Sequence, residues 1–183
     1  YCAAIGGKDS MSGTFEQLNV PNTLVSFAVT TEEVKNVTSG SFKKAGSRVY
    51  YVGICLGDTL SPSFASFSRV AKLLYALNKA GKISAMYPVC AGGVAEAVSK
   101  MAMGNRIGFS TEGGEFFVQD AAWFMGGGVA LPAFCAGLLL ETDADLRAEA
   151  AAVSNEVFAS GISAPLLEDT PLITQIGTTT SEP

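Results

Sequence analysis

Short apolar runs alternate with polar breaks marked by glycine, proline or serine along most of this chain, and the period of each run predicts its element. Thr23–Thr30 (TLVSFAVT) is brief and β-rich, with Pro21-Asn22 before it and Glu32-Glu33 after, which predicts a strand. Arg48–Leu56 (RVYYVGICL) predicts a longer, buried strand. After Ser61 or Ser63, either of which suits a helix cap, Phe64, Phe67, Val70, Leu74 and Leu77 recur at helical spacing, and Gly81 ends the run. Ile83–Cys90 predicts a strand. Gly92-Gly93 opens a second helix with Val94, Ala97, Val98 and Met101 inward, closed by Gly104-Asn105. Ile107–Phe109 and Phe116–Gln119 are short strand candidates. Phe134–Glu141 predicts a strand, Asp143 or Asp145 caps a third helix to about Phe158, and Leu172–Ile176 predicts a last strand.

From Arg48 onward the order is therefore strand, helix, strand, helix, short strands, strand, helix, strand. Helices long enough to cross over imply an α+β fold: a mixed sheet with helices packed on it. The polar stretch Glu32–Ser47 (EEVKNVTSGSFKKAGS) is the expected domain boundary. Residues 1–32 hold too little to fold alone and look like the tail of another domain, leaving residues 33–183 as the main domain. The terminal TTTSEP offers nothing that caps or closes an element, so both ends read as cuts.

Composition narrows the classes. Of 183 residues, 48% are hydrophobic and 16% charged, which excludes a disordered chain. The net charge is −5, and Lys43, Lys44 and Arg48 form the one dense basic cluster, so no nucleic-acid partner is expected and a solvated loop explains the cluster. There is no histidine, which removes the commonest general base and any Ser-His or Cys-His pair within this chain. Cys2, Cys55, Cys90 and Cys135 lack CxxC spacing and sit in apolar surroundings, as reduced core residues of a cytoplasmic protein would. Ala121–Leu140 is uncharged and as long as a membrane span, but Gly126, Gly127, Gly128, Pro132 and Gly137 make it a loop leading into a buried strand, with no membrane partner expected.

Four features are candidates for chemistry. Gly6-Gly7-Lys8-Asp9-Ser10 is either a glycine-rich turn or a phosphate-facing loop, in which paired glycines expose N–H groups and Lys8 and Asp9 bring charge. It lacks Walker A spacing. Cys90-Ala91-Gly92-Gly93 runs from a strand into a helix N-terminus, where an anion would meet free N–H groups, or where glycines simply allow tight packing. Gly126-Gly127-Gly128 is a connection or a phosphate loop. Among the acids, Asp143 and Asp145 are expected as helix caps, and Glu112, Glu115, Asp120 and Glu141 as solvated charges. No pair among them has a spacing that demands acid–base work, so no catalytic residue is assigned.

The motif GGKDSMSG resembles the G-K-D-S-M-S signature in the synthetase part of phosphoribosylformylglycinamidine synthase. Gly92–Phe109 (GGVAEAVSKMAMGNRIGF) looks like that family's Gly-Gly stretch and following helix, in the form of the large fused bacterial enzymes. VTSGSFKKAGSRVYYVG and LITQIGTTTSEP also fit, so the resemblance spans nearly the whole chain. It implies an ATP-dependent ligase of purine synthesis that makes formylglycinamidine ribonucleotide with ammonia from a glutaminase domain. The chain would be a piece of the second synthetase repeat, with an aminoimidazole ribonucleotide synthetase-like C-terminal domain. Its partners would be the remaining synthetase and glutaminase domains, with a homodimer through exposed cut surface as a further expectation. The nucleotide-binding candidates are Gly7, Lys8, Asp9, Ser10, Cys90, Gly92 and Gly93, for ATP or ADP with Mg²⁺ in the parent enzyme.

The sequence departs from the pattern at one place. Better-known members carry H-D-x-S-D-G-G where this chain has Tyr87, Pro88, Val89, Cys90 and Ala91 before Gly92-Gly93. Proline and alanine cannot ligate a metal, so no metal ligand is assigned. Two alternatives stay open: another ATP-using member of the aminoimidazole ribonucleotide synthetase and selenophosphate synthetase superfamily, or a non-catalytic interaction module.

Overall fold

The computed structural model describes residues 3–10, 13–21, 23–53, 64–90, 92–111, 137–149 and 173–182. The chain divides into two compact units, Tyr1–Val37 and Thr38–Pro183. Both expected caps of the first long helix, Ser61 and Ser63, lie outside the described residues. So do Phe116–Gln119, the triple glycine, Glu112, Glu115, Asp120, Cys2, Cys55 and Cys135.

The first unit is built from antiparallel ribbon. β1 (Ala4–Ser10) pairs with β4 (Thr23–Ala28), and β2 (Gly13–Phe15) pairs with β3 (Leu18–Val20). The two ladders share one register, from Gly6 opposite Phe27 to Phe15 opposite Leu18. Glu16 turns the chain with φ 53°, the left-handed region that a two-residue hairpin turn requires. The glycine-rich stretch expected as a turn or loop is thus a strand. Of its two glycines Gly7 serves close approach: a Cβ there would come within 2.9 Å of the Val25 carbonyl oxygen, while one at Gly6 would meet nothing.

The second unit carries a five-stranded sheet in the order β6-β8-β5-β9-β7. The strands are β5 (Arg48–Gly53), β6 (Ala85–Val89), β7 (Gly108–Thr111), β8 (Gly137–Thr142) and β9 (Ile173–Thr180). Every ladder in it is antiparallel, whereas a mixed sheet was expected. The reason is topological. β5, β6 and β7 do run parallel to one another, as strand–helix–strand crossovers require. β8 and β9 then slot between them in the opposite sense, so no two parallel strands are neighbours. Among the described residues, a parallel contact is made by an isolated bridge between Ser39 and Ala85.

Both faces of the sheet are covered, which is why Arg48–Gly53 reads as a continuous apolar run rather than an alternating one. Val49, Ala85, Val89 and Leu139 point to one face and pack with Val94, Ala97, Val98 and Met101 of α2 (Gly93–Asn105). Tyr50, Val52 and Leu140 point to the other and pack with Val70, Leu74 and Leu77 of α1 (Phe64–Lys79). Each of those three α1 side chains is buried, worth about 1.5–3 kcal/mol apiece as an upper figure. Phe64 and Phe67, expected on the same face, are exposed. They precede the first buried position, Val70, by three and six residues, and each three-residue step turns the stripe further from the core.

The helix ends follow their signals, with one change. At α1, Gly81 adopts φ 69°, its N–H reaches the Asn78 carbonyl at 2.9 Å, and the Lys82 N–H reaches the Leu77 carbonyl at 3.0 Å, the paired bonds of a Schellman cap. At α2 the left-handed residue is Arg106 (φ 56°), not the expected Gly104-Asn105. Gly104 is there for proximity: a Cβ would sit 2.6 Å from the Ser41 Cβ. Of the two expected caps after β8, Asp145 is the one used. Its Oδ1 accepts from the Arg147 and Ala148 N–H groups at 3.1 and 3.3 Å, opening a helical turn at residues 146–149.

Two corrections concern the segment 38–47. Glu141, expected as a solvated charge, is fully buried. Its carboxylate accepts from the Lys43 and Lys44 backbone N–H groups at 2.7 and 3.2 Å, because that loop has no ladder partner for them. The threonines of the terminal TTTSEP, expected to close nothing, extend β9 to Thr180. The buried Thr179 hydroxyl accepts from the Ser47 N–H at 2.8 Å and donates to the Lys44 carbonyl at 2.7 Å. Phe42, stacked on Phe109 at 6.4 Å, is the apolar anchor between these latches.

Candidate functional site

The strand-to-helix junction at the end of β6 is the best-formed candidate. β6 delivers Cys90 to the surface, and Gly92 and Gly93 begin α2. Gly93 holds φ 69°, a conformation that favours glycine, and its N–H bonds the Cys90 carbonyl at 2.8 Å. The sequence leaves two readings here, free N–H groups for an anion or glycines that allow tight packing. Glu96 folds back over the junction, and its Oε2 accepts the Gly92 N–H at 2.9 Å. A Cβ at Gly92 would meet Glu96 Oε2 at 2.2 Å and Glu96 Cβ at 2.6 Å, so a larger residue there would displace this contact.

Glu96 is itself held. Its Oε1 pairs with Lys100 Nζ at 2.5 Å, one helical turn on. That lysine, and after it the Gly92 N–H, keep the Glu96 carboxyl below the usual carboxylate range. Lys100 is raised in turn, first by Glu96 and then by Tyr87. The positive end of α2 therefore already carries a carboxylate of its own chain, and a lysine neutralises that carboxylate. An anion reaching the Gly92 N–H would have to displace this carboxylate. Glu96 lies four residues after Gly92, one beyond the spacing of a capping box, so the sequence alone does not announce this contact.

Cys90 corrects another expectation. It is exposed rather than a core residue, with its Sγ 3.9 Å from the Pro88 carbonyl oxygen. The strand ends before it, so it lies past the last ladder position. Among the described residues, no three cysteine or acidic side chains converge as a metal site would require.

In the first unit, Gly7, Lys8, Asp9 and Ser10 are consecutive positions of β1, opposite Ser26, Val25, Leu24 and Thr23. Successive strand residues point to opposite faces, so Lys8 and Asp9 do not converge on one ligand from the same face. Both are exposed, and Lys8 Nζ donates to the Asp9 carbonyl at 3.3 Å. The basic cluster is also engaged: Lys44 pairs with Asp143 at 2.5 Å, and an Arg48 guanidinium N–H donates to the Asp143 carbonyl at 2.8 Å. Lys44 is the main reason the Asp143 carboxyl lies below its usual range.

No family model matches the sequence, and neither does any curated protein. Solved structures do resemble it. The chain folds like part of T. maritima PurL. Against PurL complexed with ADP, 88% of this chain aligns with a TM-score of 0.54 and 10% identity; against PurL complexed with ATP, 87% aligns at 0.50 and 10%. It spans only 26% and 25% of those PurL chains. E. coli HypE, a hydrogenase maturation protein, aligns over 88% of this chain and 51% of its own at TM-score 0.45 and 17% identity. PurL at this identity speaks for the fold, which is the aminoimidazole ribonucleotide synthetase-like one. Among the described residues no helix is long and apolar enough to cross a membrane, and the last residues of Ala121–Leu140 form the start of β8.

Proposed function

We propose that this chain is part of an ATP-using enzyme of the aminoimidazole ribonucleotide synthetase-like superfamily, and specifically of a cytoplasmic phosphoribosylformylglycinamidine synthase. The observation that carries this reading is the coincidence, in one chain, of the GGKDSMSG motif with a PurL-like fold. On this reading residues 1–32 end an N-terminal synthetase domain, and residues 33–183 are the C-terminal domain of the same repeat. The partners are the remaining synthetase and glutaminase domains of the longer protein. ATP bound in such an enzyme activates the amide oxygen of formylglycinamide ribonucleotide, so that ammonia can displace phosphate.

Within that enzyme this repeat is a structural half. Pro88 and Ala91 supply no metal ligand, and Glu96 caps the N–H group that a phosphate would use. What its residues do is hold the junction: Gly92 admits the carboxylate, Lys100 neutralises it, and α2 stays fixed against β6.

The test is turnover by the full-length enzyme. Formation of the amidine from formylglycinamide ribonucleotide, ATP and glutamine is expected, and to persist in Glu96→Ala. ATP consumption on another substrate, with no amidine formed, removes the ligase assignment. Loss of turnover in a folded Glu96→Ala protein removes the structural role.

A further inference from the structure

We propose that the exposed stripe of α1 is a docking site for an acidic amphipathic helix of a partner protein. Phe64, Phe67 and Tyr75 of α1 are 85%, 53% and 52% exposed. With Ala71 they fall along one side of the helix at three- to four-residue spacing, beside the buried Val70–Leu74–Leu77 face. The stripe borders an open groove of about 360 Å³ floored by Met86 of β6 and Leu138 of β8. Its length along the helix axis is about 17 Å at helical rise, enough for three turns of a docked helix.

Two observations choose the occupant. The first is charge. α1 has no acidic residue in its sixteen positions, although the whole chain carries −5. Lys72 and Lys79 flank the outer side of the stripe, and Lys79 Nζ lies 5.8 Å from the Tyr75 ring centre. Neither lysine pairs with a carboxylate among the described residues. An apolar stripe with a cationic margin matches a helix whose own margin is acidic. A second copy fits badly, because an isologous α1–α1 contact brings no acidic residue to the lysine margin.

The second observation concerns the neighbouring edge. β6 is an outer strand, the usual place for an added strand to dock. Here the edge is already used: the Met86 N–H donates to the Ser39 carbonyl at 3.1 Å, Ser39 bridges Ala85, and Pro88 has no N–H to offer. Strand addition is blocked, and helix packing on the adjoining stripe remains.

The experiment titrates the 183-residue chain with two labelled helical peptides, read by fluorescence anisotropy. Both carry leucines at helical spacing; one has a glutamate margin, the other a lysine margin. The acidic peptide is expected to bind saturably, about tenfold or more tighter than the basic one, with affinity falling as salt rises. Phe67→Ser, at an exposed position, is expected to weaken it about tenfold, and Lys72→Glu with Lys79→Glu to reverse the preference between peptides. Equal binding of both peptides, no saturable binding by the folded chain, or self-association that protects Tyr75 from solvent would each overturn the proposal.

Discussion

Replacing Glu141 with alanine tests whether a buried carboxylate holds the 38–47 segment on the sheet. The side chain is fully buried at the end of β8 and accepts two backbone N–H groups, from Lys43 and Lys44. A hydrogen bond to a charged group contributes about 1.5–3 kcal/mol, and a buried donor left without a partner costs about 1–3 kcal/mol. Lys43 and Lys44 are exposed residues, so water can reach part of what the carboxylate releases. That places Glu141→Ala at about 2–3 kcal/mol of destabilisation, below the sum of two full bonds. Glu141→Gln keeps one acceptor oxygen and should cost about half as much. Urea unfolding of the three proteins measures the difference, provided the slopes agree. Amide exchange localises it: the Lys43 and Lys44 amides should lose protection in Glu141→Ala, while Tyr51 and Val52, inside the ladder of β5, keep theirs. A Glu141→Ala protein within about 0.5 kcal/mol of the parent, with Lys43 and Lys44 still protected, would show that the carboxylate does not hold this segment.

Three further outcomes follow from the same contacts. Gly104→Ala should destabilise by about 1–3 kcal/mol in thermal or urea unfolding, although alanine is the better helix former, because its Cβ meets Ser41; Ser41→Gly in the same chain should restore most of the loss. Arg106→Gly should stabilise by about 1 kcal/mol, since the position already has φ 56°; an unchanged or lower unfolding midpoint would count against strain there. Lys44→Ala should cost at most about 1 kcal/mol at neutral pH, because both partners of its ion pair are more than half exposed. The Asp143 carboxyl is depressed in the folded state, so its contribution is present above the unfolded carboxylate pKa and fades as pH falls through the folded one; the gap between Lys44→Ala and parent should close with acidification, and a constant gap would show that the pair contributes nothing.

Periodicity made much of the fold legible. Val94, Ala97, Val98 and Met101 are all buried as their spacing required, and the strand–helix order read from Arg48 matches β5-α1-β6-α2-β7. Adjacency was not legible, because nothing local in β8 or β9 says that they insert between parallel strands. Glu141 was misread for a related reason. A carboxylate after Leu138–Leu140 looks solvated until the loop that needs an acceptor is brought over it, and that loop lies almost a hundred residues earlier. The ribbon in residues 4–28 was half seen: Thr23–Ala28 had β-branched residues to announce it, whereas Gly6-Gly7 hid β1 behind a turn-like composition. At the junction the glycines were visible and their partner was not. Glu96 stood in the quoted motif, yet only the folded geometry sets its carboxylate on Gly92.

We propose that the start of α2, with its Gly92 N–H taken by Glu96, receives no nucleotide phosphate. Calorimetric titration of Mg-ATP and Mg-ADP into the folded chain measures it most directly. No heat beyond dilution is expected up to about 1 mM ligand, where an affinity worth about 4 kcal/mol would already be visible. Saturable micromolar binding that is lost on Gly93→Ala would contradict it, because the phosphate would then be seated where Glu96 is placed here.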